Sequence, residues 1–301
     1  MSDRIGFTVI GEYPPLVSLA YWHSVLAAVF ALANRMVRHI PIVDDEGKLV
    51  GIYSIRDLLD FIGGGTWERL RSKYNDDLLG ALTGVHLEEV MVRNPIALEF
   101  GAFTLRDVIE RMASKNIGAL PVVTREGRLV GMVTEEMVAR LVSFVSVGAT
   151  AEEIMSSPVH VLRTDASVLD AVKLMTSMRI RHVPLVDEKG VPKYVLSARD
   201  ILRFLAIEET LEKLHERGYG LLGEVEAWRL ASRLLVAVAP ETPISRVAAI
   251  MRMHGISSVL VMEGDNLKGI ITDRDFVVKV PKRMGEILYE TLEQAIPRIT
   301  L

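Results

Sequence analysis

The stretch His182-Val-Pro-Leu-Val-Asp-Glu-Lys-Gly-Val-Pro-Lys-Tyr-Val-Leu-Ser-Ala-Arg-Asp200 decides the fold. By itself it reads as a strand, a polar turn, a second strand and the first turn of a helix. Its force comes from recurrence. His39-Ile-Pro-Ile-Val-Asp-Asp-Glu-Gly-Lys-Leu-Val-Gly-Ile-Tyr-Ser-Ile-Arg-Asp57, Ala119-Leu-Pro-Val-Val-Thr-Arg-Glu-Gly-Arg-Leu-Val-Gly-Met-Val-Thr-Glu-Glu-Met137 and Ser258-Val-Leu-Val-Met-Glu-Gly-Asp-Asn-Leu-Lys-Gly-Ile-Ile-Thr-Asp-Arg-Asp275 follow the same plan. Pro41 to Ser54, Pro121 to Thr134 and Pro184 to Ser197 each span 13 positions, and Leu260 to Thr272 spans 12, so the fourth turn is one residue shorter. Self-similarity of this kind is the signature of a repeat architecture.

Working outward, each tail is preceded by an amphipathic helix. Val168, Ala171, Val172, Met175 and Met178 have the i, i+3, i+4, i+7 spacing that puts one apolar stripe on a helix, and Val108 with Met112 and Val247 with Met251 repeat it. Short extended pieces lead into these helices at Pro95, Pro158 and Leu234. One unit is therefore strand, helix, strand, strand, helix, an α/β (α+β) plan. His39 to His182, Pro41 to Pro184 and Asp57 to Asp200 are each offset by 143 residues, so the chain is also a duplicated pair, expected to divide into residues 1–146 and 147–301. Both halves carry a polar helical insert between their units, Thr66 to Leu82 and Glu208 to Leu222. A unit of some 55 residues leaves a sheet face uncovered and must pack on a sibling. Clefts between siblings are natural positions for a small ligand.

Composition narrows the function. The 301 residues carry 35 Lys+Arg against 39 Asp+Glu, a net charge of −4, with no Lys/Arg block to hold a phosphate backbone; a nucleic-acid partner is not expected. With no cysteine, disulfides, thiol catalysis and thiolate metal sites are excluded. The longest apolar run, Val25 to Ala33, is far short of the ~20 residues of a membrane span, and the first residues lack a secretory signal, so a cytoplasmic protein without membrane association is expected. The histidines share no metal-ligand spacing. Neither a phosphate-binding G-x-x-x-x-G-K-[ST] loop nor a G-x-S-x-G or H-E-x-x-H motif is present, and the four units with two inserts leave no room for a catalytic domain.

These tails resemble those of cystathionine-β-synthase (CBS) domains. Four in register, at about 7–62, 87–143, 151–206 and 226–281, resemble two tandem pairs of the kind called Bateman modules, in an arrangement similar to the gamma subunit of AMP-activated protein kinase. The resemblance implies a pseudo-symmetric disc of four β-α-β-β-α units that binds AMP, ADP or ATP without turnover and signals to a regulated protein partner, with a homodimer left open. It implies that Ser/Thr-x-x-Asp holds the nucleotide, the carboxylate gripping the ribose hydroxyls: Ser54 with Asp57, Ser197 with Asp200, and Thr272 with Asp275. Arg38, His39, Arg181 and His182 are implied near phosphate, with Ile40, Pro41, Val183 and Pro184 beside them and Arg56, Arg199 and Arg274 as further cations. In the second unit Thr134 is kept but Met137 replaces the carboxylate and Glu135 and Glu136 add negative charge, so that cleft is expected to be empty. An S-adenosylmethionine-type ligand, a protein-association scaffold with vestigial clefts, and an enzyme acting on an adenosyl compound are the competing readings.

Capping of the last helix accounts equally well for the four hydroxyl residues. The aspartates are less expected from capping, because capping boxes favour the longer Glu and Gln. The helical methionines read as core filler, Gly63-Gly-Gly65 as a hinge, and the charged inserts as solvated faces that remain the best candidates for partner contact.

Overall fold

The computed structural model describes residues 10–299, with side chains as far as residue 294. The leading helices of the four repeats are Val25–Arg35, Leu105–Lys115, Val168–Met178 and Ile244–His254; Ser24, Thr104 and Ser167 cap the first three with their side chains, and Pro243 precedes the fourth without a side-chain cap. At Leu105 and Val168 the cap is a box, in which the Asp107 or Asp170 carboxylate returns to the amide of Thr104 or Ser167. All four helices stop on a left-handed residue at the same position, Met36, Asn116, Arg179 and Gly255, whose N–H closes onto the last carbonyls. That reversal aims the chain into the central strand three residues later.

The central strands, His39–Val43, Ala119–Val123, His182–Val186 and Ser258–Glu263, each pair antiparallel with the strand that follows and parallel with a two-residue strand ahead of the helix. This is the strand, helix, strand, strand, helix unit expected from the repeat. The equal spacings become register: His39 lies opposite Ser54, Ala119 opposite Thr134, His182 opposite Ser197 and Ser258 opposite Thr272. All four hairpins carry a register shift near the turn, and the shorter fourth one turns through Gly264 at φ 59°.

The chain forms two compact units, each with its own apolar core. One contains Leu16–Pro95 and His160–Leu235, the first and third repeats. The other contains the described residues up to Pro15, Ile96–Val159 and those described from Val236 onward, the second and fourth repeats. The compact units therefore interleave along the chain instead of following the division at 146/147 suggested by the 143-residue offset. The offset records how the sequence repeats, whereas packing is set by which apolar helix faces meet. In the first unit the closing helix of repeat one, Ile55–Gly63, lies on the leading helix of repeat three. In the second, the closing helices Glu135–Val142 and Asp273–Met284 pack together and on the leading helices of each other's repeats.

The segment leading into a repeat also joins the sheet of its neighbour in sequence. Glu12 bridges Met132, Val92 pairs with Ile52, Ser156 bridges Ile270, and Ser232 bridges Val195. The leading piece assigned to the first repeat, residues 7–15, is thus built into the unit of repeats two and four as far as it is described.

Two expectations change. Gly63-Gly-Gly65 is a close-packing site and not a hinge: a Cβ on Gly63 would stand 2.6 Å from Val172 Cγ1, and one on Gly64 2.6 Å from Thr176 Cγ2. Asp60 pins the next helix there, accepting from the amides of Gly65 and Thr66 at 2.9 and 3.2 Å. The inserts are not merely solvated. They pack on one another, with Trp67 stacked on Tyr219 at 4.7 Å and the Tyr219 amide donating to Asp76 O at 3.0 Å, and they bury Trp67, Leu78, Leu82, Leu214 and Leu222 completely. Only their outer faces carry exposed pairs such as Lys213 with Glu209.

Candidate functional site

Each hairpin brings two distant stretches of a repeat to one point, the start of its closing helix. The first helical amide there, from Ile55, Glu135, Ala198 or Asp273, donates to the carbonyl of Arg38, Gly118, Arg181 or Ser257 at 2.9–3.3 Å. Arg38-His39 is thereby set beside Ser54–Asp57, and Arg181-His182 beside Ser197–Asp200. Arg38 and His182 are buried, 7% and 8% exposed, and His39 and Arg181 are half-buried. Ile40 and Val183 alternate inward and are wholly core, with Pro41 and Pro184 buried next to them.

The three aspartates close capping boxes. Asp57 Oδ2 accepts from Ser54 N and Oγ, both at 2.7 Å; Asp200 Oδ2 from Ser197 N and Oγ at 2.8 and 2.6 Å; Asp275 Oδ2 from Thr272 N and Oγ1 at 2.7 and 3.0 Å. Aspartate is less expected than Glu or Gln in this role, yet all three fill it. The cap residue is extended, with Ser54 at φ −133° and ψ 169°, which brings its amide within reach of the short side chain. Asp107 and Asp170 do the same at the leading helices of repeats two and three, at 2.8 and 2.9 Å. The motif alone is thus a general capping device of this chain.

What separates Asp57 from the leading-helix aspartates is its surroundings. Burial raises the Asp57 carboxyl above its ordinary range, partly opposed by the Ser54 hydrogen bonds and the nearby Arg56 charge. Asp107 and Asp170 are lowered, chiefly by their hydroxyl partners Thr104 and Ser167. The fully buried Tyr53, next to Asp57, has its phenol pushed well up by burial and by the Asp57 and Asp60 charges. A carboxylate held in a desolvated place beside charged groups is a mark of a functional position.

The second oxygens differ between repeats. Asp57 Oδ1 has no hydrogen-bond partner among the described residues, and Asp200 Oδ1 has only Arg203 at 3.7 Å. Asp275 is 4% exposed and its Oδ1 is engaged, by Lys279 Nζ at 2.8 Å and Ser156 Oγ at 3.3 Å, while Lys279 also donates to Ser156 Oγ at 2.8 Å. Sequence reading missed both residues. Lys279 was discoverable, since the position four after the aspartate is Phe61, Phe204 and Lys279 in turn. Ser156, 119 residues away, was not.

Repeat two departs further than its Met137 implies. Glu135 is fully buried at the first helical position, and a Cβ on Gly118 would sit 3.0 Å from Glu135 Oε2. The glycine where repeats one and three have arginine is therefore tied to that carboxylate. Thr134 starts a helix without a capping box. Arg274, expected near phosphate, caps the leading helix of repeat two: it donates to Met112 O, Ile117 O and Asn116 Oδ1 at 3.1, 2.7 and 2.7 Å and lies 3.9 Å from Glu135. Arg56 is exposed and Arg199 half-buried. Among the described residues no three His, Asp or Glu side chains gather as a metal site, and no helix is long and apolar enough to cross a membrane.

Comparison with known proteins agrees with this architecture. The CBS domain pattern matches residues 22–64, 87–143, 151–207 and 228–282. An uncharacterized 33.4 kDa protein in the ribosomal RNA operon of Thermofilum pendens is 30% identical over 283 residues, 94% of this chain and 93% of that protein. The crystal structure of MJ1225 from Methanocaldococcus jannaschii, described as a candidate archaeal homologue of γ-AMPK, superposes with a TM-score of 0.83 at 23% identity, covering 91% of this chain and 99% of that one. A conserved protein from Pyrococcus horikoshii gives 0.58 at 19% identity, over 90% and 97% of the two chains. At those identities the two structures speak to the fold alone. With four strand–helix–hairpin–helix repeats in the structure and four matched segments in the sequence, the chain belongs to the CBS domain family.

Proposed function

We propose that this protein is a non-catalytic regulatory module that binds an adenine nucleotide, AMP, ADP or ATP, at the closing-helix starts of repeats one, three and four and passes the bound state to a protein partner. The observation that carries this reading is the pair Asp57 and Asp200. Each commits one oxygen to its own helix cap and leaves the other for a ligand, next to a buried or half-buried Arg-His pair. A carboxylate oxygen accepting from a ribose diol, with cations and a helix N-terminus alongside for phosphate, is the chemistry an adenosine nucleotide needs. Buried Glu135 and the missing carboxylate at Met137 support an empty second repeat. The halves 1–146 and 147–301 are proposed as the modules of duplication, supported by the exchange of leading segments between repeats one and two and between three and four. Function in the cytoplasm belongs to the same proposal.

Calorimetric titration with AMP, ADP, ATP and S-adenosylmethionine tests the reading and ranks the ligands. Saturable binding of an adenosine nucleotide that weakens in Asp57→Ala and Asp200→Ala supports it; no binding by any of the four ends it. The capping boxes at Asp107 and Asp170 favour a second reading, a protein scaffold whose motifs serve helix capping alone. Mass spectrometry of gently purified protein separates the two, since co-purified nucleotide excludes a scaffold with vestigial sites.

A further inference from the structure

The three carboxylate-bearing repeats are not chemically equivalent, and the difference lies in one side chain. Four residues after the aspartate, on the same face of the closing helix, repeats one and three have Phe61 and Phe204, which have no charge to offer. Repeat four has Lys279, whose ammonium is 2.8 Å from Asp275 Oδ1 and 2.8 Å from Ser156 Oγ. Ser156 completes the enclosure by donating to the same oxygen at 3.3 Å. The oxygen that is open at Asp57, and that at Asp200 meets only Arg203 at 3.7 Å, is thus already served at hydrogen-bond distance from within the protein at Asp275.

We infer that Lys279 is an internal competitor for the ribose-binding carboxylate, and that it makes repeat four the weakest of the three sites and the last to fill. The inference rests on the nucleotide-binding reading above. A sugar hydroxyl approaching Asp275 must share or displace a charged donor, whereas the corresponding oxygen of Asp57 is engaged by no such donor among the described residues. Because Lys279 is one-third exposed, the competition is screened by solvent, and its expected size is modest. Repeats one and three would then respond at lower nucleotide concentrations than repeat four, which gives one chain a graded response without any change of fold.

The test uses the full-length chain in an Asp57→Ala/Asp200→Ala background, in which Asp275 is the remaining motif carboxylate. AMP and 2′-deoxy-AMP are titrated calorimetrically into this protein and into the same protein carrying Lys279→Met or Lys279→Arg, with thermal unfolding as the folding control. Lys279→Met is expected to tighten AMP about two- to fivefold and to increase the preference for AMP over its 2′-deoxy form. Lys279→Arg, which keeps the charge, should bind like the background. Unchanged or weaker AMP binding in a folded Lys279→Met protein overturns the inference, because the lysine would then be a bystander or a phosphate contact. Should Lys279→Met not fold, Ser156→Ala takes its place, and AMP affinity no tighter than the background overturns the inference. If the wild-type chain binds none of AMP, ADP, ATP and S-adenosylmethionine, the nucleotide-binding reading itself fails, a result distinct from binding that is insensitive to Lys279.

Discussion

Ser167–Asp170 and Ser54–Asp57 are the same four-residue device in the same geometry, one starting a leading helix and the other a closing helix. In both, Oδ2 accepts from the cap amide and the cap hydroxyl, within 2.7–2.9 Å. Yet the Asp170 carboxyl is pulled below its ordinary range by its hydrogen bonds with Ser167, while burial pushes that of Asp57 above it. The exposed box stabilises its helix and gives up little hydration. The half-buried box stabilises its helix too, but holds its charge in a less solvated place, next to Arg38 and His39 and with one oxygen still able to accept. A capping motif becomes a candidate binding site through its surroundings, not through its sequence.

Removing the carboxylate should break this comparison most visibly. Asp57→Ala or Asp200→Ala is expected to weaken nucleotide affinity about 10- to 100-fold, from a lost charged hydrogen bond of ~1.5–3 kcal/mol, whereas Asp107→Ala and Asp170→Ala should leave calorimetric affinity unchanged. Equal losses in both groups would mean that the variants report helix stability only. The exposed boxes should show themselves in folding instead: Asp170→Ala is expected to lower stability by about 1 kcal/mol in urea unfolding, in line with the loss of a helix cap.

The pH dependence sharpens the comparison, because the two carboxyls depart from ordinary behaviour in opposite directions. Asp57 has a folded pKa above the ordinary 3.8, so the folded state keeps its proton longer than the unfolded one. Its contribution to stability therefore falls as pH rises from about 3.8 through the raised value. Asp170 has a depressed pKa, and its contribution is present above 3.8 and lost as pH falls through the lowered value. Urea midpoints between pH 3 and 7 should show Asp57→Asn gaining on wild type with rising pH, by about 1.4 kcal/mol for each tenfold difference in proton affinity between the folded and unfolded chain. Asp170→Asn should fall behind wild type over the same range. Parallel curves would show that burial of Asp57 has no energetic consequence.

The smallest effect is expected from Met137→Asp. It restores the four-residue motif in repeat two without removing Glu135 or adding the arginine that Gly118 lacks. Stability should change by less than about 1 kcal/mol and nucleotide stoichiometry not at all. An additional bound nucleotide would show that the carboxylate by itself makes the site.

Much of the molecule was legible in its residues. Period and spacing determined the four repeats, because a strand alternates every two residues and a helix every 3.6, and a fixed count between Pro41 and Ser54 can close only one hairpin register. The same spacing placed His39 opposite Ser54 and His182 opposite Ser197, which is the framework of the candidate site. The aspartates, and the oddity of Met137, stood out for the same reason. What the tertiary structure alone decided is every fact that depends on residues far apart in the chain. Repeats one and three share a core because Gly63 and Gly64 let their helices approach. Arg274 caps a helix more than 150 positions away. Lys279 and Ser156 converge on Asp275. Local spacing determines secondary structure and register, because those follow from backbone geometry; which helix faces meet and which carboxylate is left an open oxygen follow from packing between distant segments, and no short-range pattern encodes that.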